Sequence, residues 1–306
     1  MILQIRGKYM SKVKIFCTST GAVQFAPKRY QHYNIGILPT HMTFKGVEYI
    51  ETEMDPQKFY SDLETLEEPK KNLPKTSLPS PLEIAEMFQS AIDEGYDEVI
   101  VFVISTGLSG TYSTVCLASE PFKDKIKIHV VDTKAAAFSE GIHAVRAAQM
   151  LEKGMSVEEI LKETAWAIEH QEFLGVDGKL DYLIYNGRLK GAKAFMGQML
   201  KICPVLQFNK EGVLEAVESV RTQKKAIVRL CERVKEMIGD RAPEDYYLFQ
   251  IYTGEKMVDA LLEGEAKVGL KTNHEGVVMT PSSGCHNGPW LAAYGLYRIR
   301  REDEAL

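Results

Sequence analysis

The chain lacks most of the signatures that would assign it a chemistry at once. No apolar run approaches the roughly 20 residues that span a bilayer, so stable membrane insertion is not expected. The first residues, MILQIRGKYMSKVKIF, lack the apolar core and small-residue cleavage site of a secretory signal, and Met10 is a candidate start. A net charge of -5 leaves no broad basic field for a phosphate backbone, which excludes nucleic acid as the expected partner. The five cysteines are odd in number, scattered and without a CxxC. They read as free thiols in a reducing cytoplasm, with Cys285 the one candidate for a reactive thiol. There is no GxxxxGK followed by Ser or Thr, no GxGxxG, no HExxH, no EF-hand loop and no metal-spaced Cys/His pair, so neither a metal nor a nucleotide cofactor is expected. The GxSxG elbow is also missing. Gly107-Leu108-Ser109-Gly110 falls one residue short of it, and a serine hydrolase stays open only because triads are defined by geometry.

What is present is an ordinary globular composition, 45% hydrophobic and 26% charged over 306 residues, long enough for two cores. Its most informative stretch is the apolar run Val99 to Ile104, which breaks into Ser105-Thr106-Gly107-Leu108-Ser109-Gly110-Thr111. The run reads as a buried strand, and a helix is expected from Tyr112 through Ala118. The carboxyl edge of a parallel sheet is where open α/β folds bind ligands. A hydroxyl-rich turn without cations there suits an oxyanion, helped by backbone N–H groups at the helix start. A plain strand-to-helix turn with a Ser or Thr cap fits the same residues. A second hydroxyl cluster, Thr18-Ser19-Thr20, closes the strand expected over Val13 to Cys17. Thr76 and Ser77 lie just before a helix start marked by Ser80, Pro81 and Glu83.

Strands expected at Ile35, Met42, Val47 and Ile126 alternate with helices at Met54 to Leu66, Pro81 to Glu94, Ala135 to Leu151 and Ser156 to His170. Pro69 to Pro74 reads as a loop. The alternation argues a mostly parallel, doubly wound sheet with helices on both faces. The second half differs. Pro204 to Phe208 and Val213 to Val220 flank the hairpin turn Asn209-Lys210-Glu211-Gly212, and a charged helix follows from Thr222 to Ile238. Tyr247 to Tyr252 and Gly276 to Thr280 read as strands, Lys256 to Gly264 as a helix, Gly284 to Pro289 as a turn, and Trp290 to Arg298 as a final helix. The fold class is therefore α/β in two domains, 11–172 and 173–306, with the second a mixed or antiparallel α/β unit and the boundary between Gln171 and Asp177.

ISTGLSGTY at 104–112, TSLPSP at 76–81, LDYLIYNGRLKGAKAFMGQMLKICPVL at 180–206 and VRTQKKA at 220–226, in that order, resemble the motifs of the DegV family over about residues 12 to 300. The resemblance implies a bacterial two-domain carrier that binds one long-chain fatty acid between its domains. It also implies that the chain is the non-catalytic subunit of a fatty-acid kinase, whose partner phosphorylates the bound carboxylate to an acyl phosphate for phospholipid synthesis. By motif position, Thr76 and Ser105 would hold the carboxylate. Ser77, Thr106 and Ser109 would line the same pocket, and Arg188 and Arg221 would lie near its mouth. Two positions depart from the family pattern. Thr18 stands where an Asp is usual, and Pro281 where a His is usual, with His286 five residues on as the candidate to take that place.

The physics of such a site is reasonable. Burying about fourteen methylenes contributes on the order of 10 kcal/mol at about 0.8 kcal/mol each. The carboxylate is the costly part, and hydroxyl donors offset the cost without fixing the oxygen as an arginine fork would. Phe195, Met196, Met199, Leu200 and Ile202 form either a sleeve for the tail or a plain core helix. The cations from Arg221 to Lys235 form either a solvated face or a docking surface for an acidic kinase. Arg188 is open between a carbonyl or Asp181 partner and a role at the mouth. A binding protein for a different lipid or small anion remains the alternative to the fatty-acid carrier.

Overall fold

The computed structural model describes residues 11–191, 202–271 and 275–305. Strand β1 (Val13–Thr18) opens the chain, followed by β2 (Ile35–Leu38), β3 (His41–Phe44) and β4 (Val47–Ile50). Helices α1 (Pro56–Glu64) and α2 (Pro69–Asn72) precede β5 (Lys75–Ser77), α3 (Pro81–Asp93), β6 (Glu98–Val103), α4 (Thr111–Ser119) and β7 (Lys127–Asp132). Two consecutive helices, α5 (Phe138–Glu152) and α6 (Val157–His170), lead into β8 (Glu172–Asp177) and the short α7 (Asp181–Tyr185). The described remainder comprises β9 (Val205–Phe208), β10 (Leu214–Glu218), α8 (Gln223–Ile238), β11 (Tyr246–Tyr252), α9 (Glu255–Val268), β12 (Glu275–Val278), α10 (Pro281–Asn287) and β13 (Leu291–Arg298).

The first sheet is parallel throughout, in the order β2-β1-β6-β7, and draws all its strands from residues before 133. Every residue of β6 is buried, because this central strand is covered on both faces. Val99, Val101 and Val103 pack with Ile84 and Phe88 of α3 and Val115 of α4. Ile100 and Phe102 point the other way, against Ala144 of α5 and Ile160 of α6. Both capping boxes act as the sequence implies. Ser80 and Glu83 close the start of α3, and Ser156 and Glu159 the start of α6, each satisfying two otherwise orphaned N–H groups.

The second sheet is mixed, in the order β10-β9-β8-β13-β11-β12, and only its β11–β12 pair is parallel. Ala292, Tyr294 and Leu296 face Leu230 of α8 and Leu261 of α9. Leu291, Ala293 and Tyr297 face Phe138 and Ile142 of α5. The layers are thus α3/α4, parallel sheet, α5/α6, mixed sheet, α8/α9. Helix α5 lies between two sheets, which is why each residue from Phe138 to Val145 is buried. Gly141 permits the closest approach in this stack: a Cβ there would overlap the carbonyl oxygen of Gly21. A small antiparallel sheet, β4-β3-β5, completes the fold.

Four segments depart from the expected elements. Trp290 to Arg298, expected as a helix, is the strand β13, bonded to β8 and β11 on its two sides. A continuous apolar run of this length carries no period that separates a doubly covered strand from a buried helix. Gly284 to Pro289, expected as a turn, lies largely within α10, and the Pro69 loop forms α2. Strand β8 fills the segment read as a boundary.

Candidate ligand-binding site

A cavity of about 820 Å³, counted out to its open mouth, lies between the two sheets' units. One wall comes from the first half of the chain: Leu78, Ile104, Leu108, Ala136 and Ala137. The other comes from the second half: Phe173, Leu183, Phe208, Leu214, Met279 and Leu291. Phe173 and Phe208 stand ring against ring, centroids 4.9 Å apart.

A polar face interrupts this lining. Thr76 of β5 and His286 of α10 meet at 3.2 Å between Oγ1 and Nε2. Ser282 and Ser283 sit on the same helix α10, and Ser282 reaches Thr40 at 3.2 Å. Burial, and secondarily Arg188, lowers the His286 imidazole to about 4, so it is neutral at pH 7 and carries one N–H. Its Nδ1 and the Ser283 hydroxyl are buried and have no partner among the described residues. Buried polar atoms left so are costly, and a ligand oxygen or hydroxyl in the cavity would satisfy them. Arg188 also lines the cavity, and its Nη1 donates to the Asn186 carbonyl at 2.7 Å. Ser77 and Ser109 complete the expected residues found in the lining, with Ser109 bonded to Thr111 at 2.9 Å.

Beneath the polar face lie two acids. The Glu51 carboxylate accepts from the hydroxyls of Ser19, Thr40 and Ser282 and from the Ser282 N–H at 2.7 Å. It thereby ties β1 and β3 to the start of α10. The Glu140 carboxyl is bonded to Thr18, to Thr20 at 2.8 Å, and to the Cys17 thiol at 3.7 Å. Thr20, Thr40 and Ser282, which line the cavity, are thus held from behind. Only the Thr18-Ser19-Thr20 cluster was visible in the sequence. Glu51 and Glu140 carried no signal, since acids near helix starts ordinarily face water.

Three expected residues do not line the cavity. The Ser105 hydroxyl is fully buried, donating to the Gly212 carbonyl at 2.8 Å and accepting from the Gly107 N–H at 3.1 Å. It latches the β9–β10 turn to the β6 turn, and Gly212, at φ 73°, has no room for a side chain against it. Thr106 is exposed and bonded to Asp132 through its hydroxyl at 2.6 Å. Arg221 is exposed just before α8. Phe195 and Met199, with the rest of the expected sleeve from Met196 to Leu200, lie outside the described residues. Farther along α8, Arg229 and Arg233 share Glu218 and reach Glu236, so two of the six cations from Arg221 to Lys235 are paired locally.

At the two positions that depart from the family pattern the contacts are as follows in this chain. Glu140 brings a carboxyl from α5 to the hydroxyl of Thr18, where the strand itself lacks an acid. Pro281 is buried at the first turn of α10, and that helix carries His286 to Thr76. Cys285 is buried, its thiol donating to the Ser282 carbonyl at 3.0 Å and pushed up by burial, which is the opposite of a reactive thiol's setting. Among the described residues no group of His, Cys, Asp and Glu is arranged to hold a metal ion, and no helix is long and apolar enough to cross a membrane.

Comparison with known proteins covers nearly the whole chain. Residues 12–298 match the family described as "Uncharacterised protein, DegV family". A DegV domain-containing protein of Clostridium perfringens is 32% identical over 233 residues, 75% of this chain and 79% of that one. One from Staphylococcus aureus is 33% identical over 210 residues, 68% and 71% respectively. Among solved structures, a fatty acid binding DegV family protein of Streptococcus agalactiae superposes with a TM-score of 0.83 at 29% identity, covering 95% of this chain and all of that one. DegV of Bacillus subtilis, a fatty acid binding protein, gives a TM-score of 0.79 at 26% identity, covering 94% and 99%.

Proposed function

This chain belongs to the DegV family, and from that premise we propose that it binds one long-chain fatty acid in the cavity between its lobes, which we set at residues 11–172 and 173–306. The observation that carries the proposal is the cavity itself: apolar on both walls, with a polar face containing Thr76, Ser77, Ser283 and His286. Neutral donors of this kind stabilise a carboxylate by hydrogen bonding rather than by a formal counter-charge. Arg188 stands near His286 and adds positive potential without a bidentate fork to the ligand. Ser109, just before α4, also lines the cavity. The fatty-acid ligands of the Streptococcus and Bacillus relatives support the same assignment.

In this reading the chain is a carrier and not an enzyme. A partner kinase transfers a phosphoryl group to the bound carboxylate, whose oxygen displaces the nucleotide diphosphate to give an acyl phosphate. The support for the kinase is the family resemblance of the sequence motifs. A cytoplasmic site of action fits the free thiols.

Mass spectrometry of an organic extract of the purified protein tests the ligand directly. A long-chain acid is expected in the extract, and a clean extract with no binding of added palmitate or oleate would refute the assignment. Thr76→Ala is expected to weaken palmitate binding by about 1–3 kcal/mol, because it leaves the carboxylate short of one donor. Unchanged affinity in a titration calorimeter would move the head group elsewhere.

A further inference from the structure

Helix α10 carries much of the polar face, yet the hold on its first turn comes from the opposite lobe. Ser282, Ser283, His286 and Asn287 line the cavity from its seven residues. A helix of that length does not keep its shape unaided. Its capping residue, Thr280, makes no side-chain bond to the first turn, and Pro281 has no N–H. The Ser282 N–H, second in the helix and buried, would then be an orphan donor. It is accepted instead by Oε1 of Glu51, at 2.7 Å, from 231 residues away in the chain.

We propose that Glu51, just past β4, is a positioning residue for the ligand: it caps α10 from the opposite lobe and so holds Ser283 and His286 toward the head group. Its two carboxyl oxygens divide between the lobes. Oε1 takes the N–H and the hydroxyl of Ser282 in the second lobe. Oε2 takes the hydroxyls of Ser19 and, at 2.7 Å, Thr40 in the first. Glu51 is fully buried and does not line the cavity, so it acts only through the groups it holds. His286 lies about one turn beyond Ser282 and from there meets Thr76 of the first lobe at 3.2 Å. The helix is thereby pinned to the opposite lobe at both ends. The identity of the ligand rests on the fatty-acid reading, but the capping of α10 does not.

The other bonds to this segment do different work. Tyr60 of α1 donates to the Met279 carbonyl at 2.9 Å, and Asn186 donates to the Cys285 carbonyl at 3.2 Å. Both end on carbonyls, and neither satisfies the first-turn N–H. What the position requires is an acceptor with the reach to span two lobes. A glutamine has that reach: its amide oxygen can take Ser282, and its NH2 can donate to Ser19 and Thr40, whose hydroxyls turn to accept. An aspartate keeps the carboxyl but is one methylene short of the span.

An NMR titration of the His286 ring, together with palmitate affinity, tests the role in Glu51→Ala, Glu51→Asp and Glu51→Gln. In the wild type, burial holds the His286 imidazole at about 4. Glu51→Ala and Glu51→Asp are expected to raise its midpoint toward the ordinary 6.5, as α10 loosens and water reaches the ring. The same two variants are expected to bind palmitate about tenfold more weakly. Glu51→Gln is expected to stay near wild type in both measurements. Ser105→Ala, which breaks the bond to Gly212 between the lobes, is expected to leave the His286 midpoint in place, and an equal rise there would overturn the proposal. So would a wild-type midpoint and affinity in Glu51→Ala and Glu51→Asp, or a Glu51→Gln as impaired as Glu51→Ala. Glu51→Asp keeps the test decisive should Glu51→Ala fail to fold. If the midpoints move as expected while palmitate binds to none of the proteins, the capping role stands and the fatty-acid reading falls.

Discussion

The ends of β1 and β6 make a direct comparison, because the two strands are parallel neighbours in one sheet and both finish in a cluster of hydroxyls. In sequence Thr18-Ser19-Thr20 and Ser105-Thr106 read alike. In the fold they do different work. The β1 cluster is backed by two buried acids, and its Thr20 faces the cavity. In the β6 cluster, Ser105 joins the lobes by gripping the Gly212 carbonyl, while Thr106 turns outward to Asp132. A hydroxyl has one proton and takes its direction from the strongest acceptor in reach. What stands behind the turn therefore decides what it can offer to a ligand, and that is set by segments far away in the chain.

The comparison is sharpest where a side chain would force the β1 cluster apart. Gly141→Ala places a methyl against the Gly21 carbonyl and is expected to cost about 3 kcal/mol or more in a denaturant titration. A variant as stable as wild type would show that α5 does not press on the β1 turn. Ser105→Ala is expected to cost about 1–2 kcal/mol of stability by breaking the latch, with a smaller effect on palmitate affinity than Thr76→Ala. The reverse order of the two affinities would return the head group to the β6 turn and break the comparison.

The buried titratable groups differ in their response to pH. Glu140 binds its proton up to about 8 when folded, against an ordinary 4.5. Between those values the folded chain holds a proton that the unfolded chain has lost, so stability falls as pH rises, by no more than about 1.4 kcal/mol per pH unit from this group. The buried His143 and His286, both lowered to about 4, act in the opposite sense at lower pH, where the unfolded chain takes up protons that the folded one refuses. Melting temperatures of wild type and Glu140→Gln from about pH 6.5 to about pH 8 isolate the carboxyl. A smaller decline with pH in the variant is expected, and identical slopes would count against it. The smallest effect belongs to Thr106→Ala, an exposed residue, expected within about 0.5 kcal/mol of wild type by thermal melt.

Much of the frame was legible in advance. The β6 run, the caps at Ser80 and Ser156, and the β9–β10 turn are local signals, and each is found where its residues imply. Two of the misread segments are adjacent in the chain. β13 is a doubly covered strand whose apolar run has no period to distinguish it from a buried helix, and the glycines before it suggested a turn where α10 forms. The site was legible only in part: Thr76, Ser77, Ser109, Arg188 and His286 line the cavity, whereas Ser105 does not. Glu51 and Glu140 were invisible, because an acid's meaning depends on whether water can reach it.

The sequence by itself determined the α/β alternation, the parallel first sheet and the supply of neutral donors at strand ends, since these follow from nearest neighbours along the chain. Only the tertiary structure decided which hydroxyls face the cavity and which are spent elsewhere. That choice depends on Glu140 lying 120 residues from Thr20 and on Gly212 lying 107 residues from Ser105. Burial between two sheets strengthens an acid's hold on its proton, and that burial exists only once the layers have closed.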